Sequence, residues 1–516
     1  MFKKKLNLFK DRKILTILII NLLLRIPGYF SGIDPHVFID EFILWVEFER
    51  LLLEKTFLIE KFRFGGPLNY YFVFAILLPV NILANIFGTS LTLSTVLIFS
   101  RAVLNIVASS LAIVYLIKIN NLVNENKSVY SNYVLAFLFM LNPYFYGQVR
   151  IWYPDSYLYI FTILATYFLI LIYKEINYSN NVYFLFFILA LGTSIKLTFF
   201  YFGIIIFIFF IYELFFNKRN IFWLLVKGFL LYLFIFIPLN FSSFINSQDF
   251  LKDLVFMHEH YGVREISNLS NAFPYHVLFL FVVPSTIFGL LYVINYLRYL
   301  IRNKSLFMLT LFFIYPVFYI FIFSFYPIFL NRTINLFVPY IIFSLATGID
   351  RIFFQERKHV NYLQKINMFL FLSIYLFSFT LTFIDDLKTD SRLEADHWLK
   401  ENTEILNTKV GVNSYTILEN YSFSVISEEI VIDKEVKLNL EYYIIDEFSK
   451  NELIETTYPN PIFILNHKDD HIKYFSNSNF FNFILSSQKK FKQEDNYILL
   501  KEFVGNGPNV YIFKKN

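Results

Sequence analysis

Long apolar runs constrain this chain more than any other feature. A helix needs about 20 predominantly apolar residues to cross the hydrocarbon core of a bilayer. Runs of about that length lie near 14–30, 101–118, 131–148, 157–173, 182–195, 197–215, 222–240, 277–296, 306–326, 333–349 and 366–384. Only 16% of the 516 residues are charged and 57% are hydrophobic, with 68 Phe and 37 Tyr. A soluble domain carries about 25% charged residues, and a surface this apolar would aggregate in water. The chain therefore reads as a mainly α, polytopic helical membrane protein of about eleven spans. Cysteine is absent, which excludes disulfides, thiolate metal sites and a cysteine nucleophile. No nucleic-acid signature accompanies the small net charge of +5.

Charge placement orients the chain. A further apolar stretch, 68–88, reads either as a span or as a helix along the interface. Laid along the outer face, it puts nineteen Lys and Arg in the inner segments and leaves five, Arg150, Lys196, Lys252, Arg264 and Arg332, in the later outer connections. That is a strong positive-inside asymmetry, and counting 68–88 as a span weakens it. The expected topology has a cytoplasmic N-terminus, a transmembrane region over 1–384 with a long first outer loop at 31–100, and an extracytoplasmic α/β domain at 385–516. The second long outer loop is 241–276, and long loops in compact folds are usually functional. No internal repeat is visible, which counts against a transporter built on inverted repeats. In the tail, 391–402 reads as an amphipathic helix. Strand-like runs follow at Lys409–Val412, Glu429–Ile432, Tyr442–Ile445 and Pro461–Leu465. Asn496–Glu502 and Asn509–Lys514 flank a Gly505-Asn506-Gly507-Pro508 turn.

Several polar residues stand out against this background. Asp40 and Glu41 follow the first span among apolar neighbours, where carboxylates are costly unless solvated, paired or metal-bound. They read as a general base with its neighbour, or as a solvated acidic pair opening an amphipathic helix. Asp155 after Pro154 reads as a helix cap or as a second acid facing the same outer cavity. Arg101, Lys196 and Arg332 each lie at the outer end of a span. Each alone fits snorkelling, and together they suggest a cationic rim for a lipid phosphate. His258 and His260 flank Glu259 in the second long loop, as a divalent-metal or acceptor site or as surface histidines. Trp45, Tyr70 and Tyr71 suit sugar stacking or interface anchoring.

The order of these features resembles the GT-C superfamily of membrane glycosyltransferases, specifically the bacterial relatives of protein O-mannosyltransferases and of the lipid A aminoarabinose transferase. The likeness covers nearly the whole chain. Arg25-Ile26-Pro27-Gly28 resembles that group's Arg-Leu-Pro-Gly, and Asp40-Glu41 matches the acidic pair of its first outer loop. Gly66-Pro67-Leu68-Asn69-Tyr70-Tyr71 is similar to its His-Pro-Pro-Leu-x-Tyr segment, and Arg101 falls where the group has an Arg opening the second span. Leu141-Asn142-Pro143 with Tyr153-Pro154-Asp155-Ser156, Ser194-Ile195-Lys196, Arg332 with Pro339, the Arg392…Ala395…Trp398 helix and the final Gly505–Pro508 complete the series. The departures are Gly65 and Gly66 in place of a His and a Pro, and Thr333 in place of a Tyr.

The resemblance implies a transferase that takes a sugar from a polyprenyl-phosphate donor and passes it to a glycan, lipid or protein hydroxyl outside the cytoplasm of a bacterial plasma membrane. It implies Asp40, Glu41 and Asp155 as catalytic, Arg101, Lys196 and Arg332 as donor-phosphate ligands, and no obligatory cofactor beyond an optional divalent metal. A transporter or flippase of lipid-linked saccharides and a non-catalytic scaffold are the alternatives. One geometric expectation underlies the catalytic reading: positions 40 and 155 face the same side. Since the chain has no native cysteine, single cysteines at 40 and 155 are expected to react with the same impermeant thiol reagent from the same side of the membrane, and labelling from opposite sides refutes it.

Overall fold

The computed structural model describes residues 12–30, 39–54, 56–60, 62, 65–87, 93–124, 128, 130–149, 152–215, 221–261, 266–325, 328–355 and 361–387. Beyond these it describes 394–395, 398, 401, 410–412, 442–446, 471–473, 497–503 and 510–515. Helices dominate: α1 (Arg12–Phe30), α2 (Ile39–Leu53), α3 (Pro67–Ile86), α4 (Leu93–Arg101), α5 (Val107–Val123), α6 (Ser131–Met140), α7 (Pro143–Gln148), α8 (Pro154–Tyr157), α9 (Tyr159–Tyr173) and α10 (Tyr178–Ile195). They continue as α11 (Tyr201–Phe215), α12 (Phe222–Leu239), α13 (Phe241–Ile245), α14 (Ser247–Tyr261), α15 (Ile266–Arg302), α16 (Leu306–Leu309), α17 (Tyr315–Phe323), α18 (Val338–Asp350) and α19 (Tyr362–Asp386). π-helical turns at Ala102–Ile106 and Thr310–Ile314 join neighbouring helices, a third at Arg351–Gln355 continues α18, and 3₁₀ turns form at Leu197–Phe200 and Asn331–Leu336.

Eight helices among the described residues are long and apolar enough to cross a membrane, against the eleven spans expected. The expected first span, 14–30, is α1, which is not among the eight; three other differences have physical causes. The run 131–148 breaks at Asn142-Pro143, because proline cannot donate to the helix ladder and disfavours α geometry before it. The run 157–173 is a 15-residue helix behind the short α8. The run 333–349 is a 3₁₀ turn followed by α18, all thirteen residues of which are buried. A helix enclosed by protein needs no lipid-facing stripe. By length and composition α3, which the charge count laid along the interface, also suffices to span.

α18 forms the axis of the bundle, packed by α15, α5 and α6, while α19 packs on α15 and α7 and α9 lies between α5 and α10. Aromatic rings fill the seams, as where Phe312 stacks on Phe343 at 4.8 Å and Tyr319 on Phe323 at 4.4 Å. α12 packs chiefly on α10 and exposes Phe222, Trp223, Phe229, Leu230 and Phe234, as a lipid-facing helix does.

Buried polar groups find partners where helices end or break. At Asn142, the amide Nδ2 donates to the Pro284 carbonyl at 2.7 Å and to Tyr375 Oη at 3.0 Å, while Oδ1 caps α7 by accepting the Phe145 amide at 2.9 Å. The Pro284 carbonyl is released by a kink in α15, where Thr286 has φ 61° and ψ 164°. That is a strained conformation for a β-branched residue, held by the packing around it. At another break, the amide and hydroxyl of Ser128 both donate to Asp350, with Gln355 Nε2 on Asp350 Oδ2 at 2.6 Å.

Short strands complete the description. β1 (Ile328–Leu330) pairs antiparallel with β4 (His471–Lys473). β2 (Val410–Val412), β3 (Tyr442–Asp446), β6 (Val510–Lys515) and β5 (Tyr497–Phe503) form a four-stranded sheet in that order, with β2–β3 parallel and the other pairs antiparallel. The expected strands at 409–412, 442–445, 496–502 and 509–514 are therefore present. Those at 429–432 and 461–465, and the turn 505–508, lie outside the described residues. The 391–402 helix is helical at its described positions, 394, 395, 398 and 401.

Asp350 is 1% exposed and serves three donors. Asp350→Ala leaves them unpaired, so the variant is expected to lose about 2–4 kcal/mol and several degrees of thermal midpoint in detergent; an unchanged midpoint would show that water satisfies them.

Candidate functional site

The centre of the site is α8. Pro154 at its first position supplies a pre-set φ and needs no hydrogen-bond partner for the missing N–H, so the chain turns from the extended Tyr153 into a single helical turn. Asp155 in that turn is 1% exposed. Lys196 reaches it from the end of α10, with Nζ at 2.7 Å and 2.6 Å from its two carboxylate oxygens. Lys196 is itself extended (φ −152°, ψ 124°), which ends α10 and swings the side chain toward α8. Its ammonium also lies 5.6 Å from the centre of the Tyr153 ring. Removing one partner of a buried pair leaves the other charge stranded, at a cost of about 3–5 kcal/mol.

The other two expected cations come to the same place by their backbones. Arg101 is fully buried at the end of α4, directly before the π turn 102–106, which packs on α8. Arg332 belongs to the 3₁₀ turn 331–336, which also packs on α8, as well as on α7, α9 and α18. Sequence reading grouped Asp155 with the three cations. What it missed is that Lys196 and Asp155 hold each other.

The Gly65-Gly66 departure also has its explanation here. Gly65 has φ +140°, and a Cβ on it would come within 2.6 Å of Pro154 Cγ. A Cβ on Gly66 would lie 2.1 Å from the Ser194 carbonyl oxygen, and the Gly66 amide donates to the Ile195 carbonyl at 2.6 Å. The pair slots between the turn bearing Asp155 and the segment bearing Lys196, and only glycine leaves room. Just beyond, Asn69 Oδ1 accepts the buried Tyr157 hydroxyl, one helical turn from Asp155's own start. Ser194 is held in turn by Asn240, whose Nδ2 donates to its Oγ at 2.7 Å.

Asp40 and Glu41 lie on the first turn of α2; their side chains are outside the described residues, as are those of Arg332, His258 and His260. The rest of α2 is tied to the site. Phe48 meets Trp152, three residues before Asp155, edge to face at 6.4 Å. Buried Glu47 accepts the Glu60 amide at 2.8 Å and pairs with Arg50 at 2.7 Å, and Arg50 also reaches Glu54 at 2.6 Å. Burial opposes the charge on Arg50, yet Glu47, Glu60 and Glu54 outweigh it and raise its pKa. Its contribution to stability is therefore kept, while those glutamates are ionised, as pH rises to the ordinary arginine range. The second long loop clasps the first: Asp253 accepts the Phe62 amide at 2.9 Å, Asn246 donates to the Ile59 carbonyl at 3.0 Å, and Phe250 packs on Phe62 at 5.3 Å. Glu47, Arg50, Asn246 and Asp253 carried no sequence signal, because each acts through a partner visible only in the fold. Among the described residues no group of three or more His, Asp or Glu is arranged to hold a metal ion.

Gly66→Ala forces a methyl against a backbone carbonyl, so it is expected to lower the thermal midpoint by several degrees and separate the Lys196 and Asp155 segments. Gly147→Ala, whose methyl would meet only Thr382 Cγ2 at 3.5 Å, should be tolerated. Equal midpoints for the two variants in a detergent melt would refute this packing.

No family model and no curated protein sequence matches the chain. Solved structures do. The Archaeoglobus fulgidus oligosaccharyltransferase, tethered with an acceptor peptide through a disulfide, aligns with a TM-score of 0.51 and 13% identity, over 86% of this chain and 70% of that one. The same organism's oligosaccharyltransferase AglB, in complex with an inhibitory peptide and a dolichol-phosphate, gives 0.51 and 13% over 85% and 70%. ArnT from Cupriavidus metallidurans bound to undecaprenyl phosphate gives 0.49 and 9% over 98% of each chain. At such identities the likeness is one of fold. This chain therefore shares the fold of the archaeal oligosaccharyltransferase.

Proposed function

We propose that this protein is an inverting glycosyltransferase that moves a sugar from a polyprenyl-phosphate donor to an acceptor hydroxyl outside the cytoplasm. The observation that carries the reading is the set of charges around α8: buried Asp155 paired with Lys196, and the turn after buried Arg101 and the turn bearing Arg332 packed on the same short helix. Lysine and arginine side chains brought to one short helix suit a phosphate, whose oxygens they match as donors. The likeness in fold to a structure containing a dolichol-phosphate supports a lipid-phosphate donor.

The chemistry follows from those groups. The acceptor oxygen attacks the anomeric carbon from the face opposite the phosphate, and the bond between that carbon and the phosphate oxygen breaks. The acceptor proton passes to Asp40, and polyprenyl phosphate departs with the bonding electrons. Arg101, Lys196 and Arg332 stabilise the charge growing on the phosphate, an effect worth several kcal/mol in a water-poor cavity. The phosphate leaves readily as an anion, so no strong general acid is required. Asp155 holds Lys196 in place, and Glu41 orients the acceptor. Attack from the far face inverts the anomeric configuration. A transporter of lipid-linked saccharides would need polar groups along a path through the bilayer, whereas Asp155, Lys196 and the segments bearing Arg101 and Arg332 meet at α8.

Asp40→Asn is expected to leave expression and thermal midpoint unchanged while lowering transfer by roughly 10²- to 10⁴-fold. The readout is product formation by purified protein from a panel of polyprenyl-phosphate sugars. An Asn variant of wild-type rate sinks the base assignment. Movement of intact donor across proteoliposomes, without transfer or hydrolysis, sinks the enzyme.

A further inference from the structure

Asn335 lies on the 3₁₀ turn 331–336 with no exposed surface, and neither its Oδ1 nor its Nδ2 has a hydrogen-bond partner. A carboxamide shut away from water with both ends open is destabilising, and a leucine, which keeps the branching but has no donor or acceptor to leave open, would remove that cost. The turn packs on α7, α8, α9 and α18, which puts Asn335 beside the helix carrying Asp155. A 3₁₀ helix has three residues per turn, so positions 332 and 335 stack on one face.

The chemistry of the amide narrows what would satisfy it. Nδ2 donates and Oδ1 accepts, and neither is charged. A phosphate bearing an ester and ionised oxygens offers acceptors only and would leave Oδ1 open. Adjacent sugar hydroxyls fit both ends, one donating to Oδ1 and its neighbour accepting from Nδ2. Asn69 repeats the pattern from α3: Tyr157 occupies its Oδ1 while its buried Nδ2 has no partner. The division of labour is then chemical, with cations for the phosphate and neutral amides for the hydroxyls. We infer that Asn335 is a sugar-recognising residue of the donor site, taking two neighbouring hydroxyls of the sugar as the packing around the 3₁₀ turn parts to admit them. This rests on the glycosyltransferase reading above.

The experiment compares wild type, Asn335→Leu and Asn335→Ala, as purified full-length proteins, for binding of undecaprenyl phosphate and of undecaprenyl phosphate bearing glucose, mannose or arabinose. Wild type should bind at least one sugar-bearing lipid more tightly than the bare lipid. Both variants should bind the bare lipid as wild type does and lose the sugar advantage by about 10- to 100-fold. Asn335→Leu should melt at or above the wild-type temperature, which a merely structural asparagine would not allow. Retention of the sugar preference by either variant overturns the inference. So does a Leu variant that melts lower and binds all four lipids more weakly. Wild-type binding with no sugar preference overturns it while leaving the glycosyltransferase reading intact; wild-type binding of none of the lipids removes that reading and this inference together.

Discussion

Inside a bilayer no water waits to bond a stray amide or carbonyl, so every interruption of a helix must be repaired by protein. The architecture depends on that constraint. Asn142 repairs two interruptions at once, capping α7 and receiving the carbonyl released where α15 bends. Asp350 repairs a third through Ser128 and Gln355. The interruption after α10 is different, because there the chain ends a helix on a lysine and the repair involves charge. The Gly66 amide takes the Ile195 carbonyl, and Lys196 is carried to Asp155. The same rule that keeps the other breaks quiet thus builds the polar centre.

A buried aspartate and a partly buried lysine would each be costly alone in this setting. Together they form a fixed, partly neutralised element on which two arginine-bearing segments converge. The pair fixes the position of its charges in the fold itself, through a bond of 2.6 Å between Lys196 and Asp155. The clasp between the two long loops has a similar effect at larger scale. Asp253, Asn246 and Phe250 hold the segment around residues 57–62, and Glu47 and Arg50 hold that segment to α2.

Much of this was legible in the residues, and the parts that were not share a physical reason. Apolar runs located the helices, and the out-of-place cations pointed to segments that pack on or bond to α8, because both signals are local and strong in a chain this apolar. Span counting failed at 131–148 and 157–173, since hydropathy registers composition and is blind to the hydrogen bonds that let Asn142 and Pro154 break a helix. Asp155 and Lys196 were both named from sequence, yet their mutual bond spans 41 residues and has no sequence mark. Gly65 and Gly66 looked like losses from a motif; the close carbonyl of Ser194 makes them a fit to a neighbour. Asn335 was not singled out, as one asparagine near the end of an apolar run is ordinary until its surroundings are known.

The small β1–β4 pairing has an implication for biogenesis. Residues 328–330, which lead straight into the turn carrying Arg332 and Asn335, find their sheet partner only at 471–473. A ribosome must add some 140 further residues before that partner exists. The final seating of the turn is therefore deferred until nearly the whole polypeptide has been made, so a truncated or half-translated copy would carry its helices and its lysine–aspartate pair without the finished turn beside them.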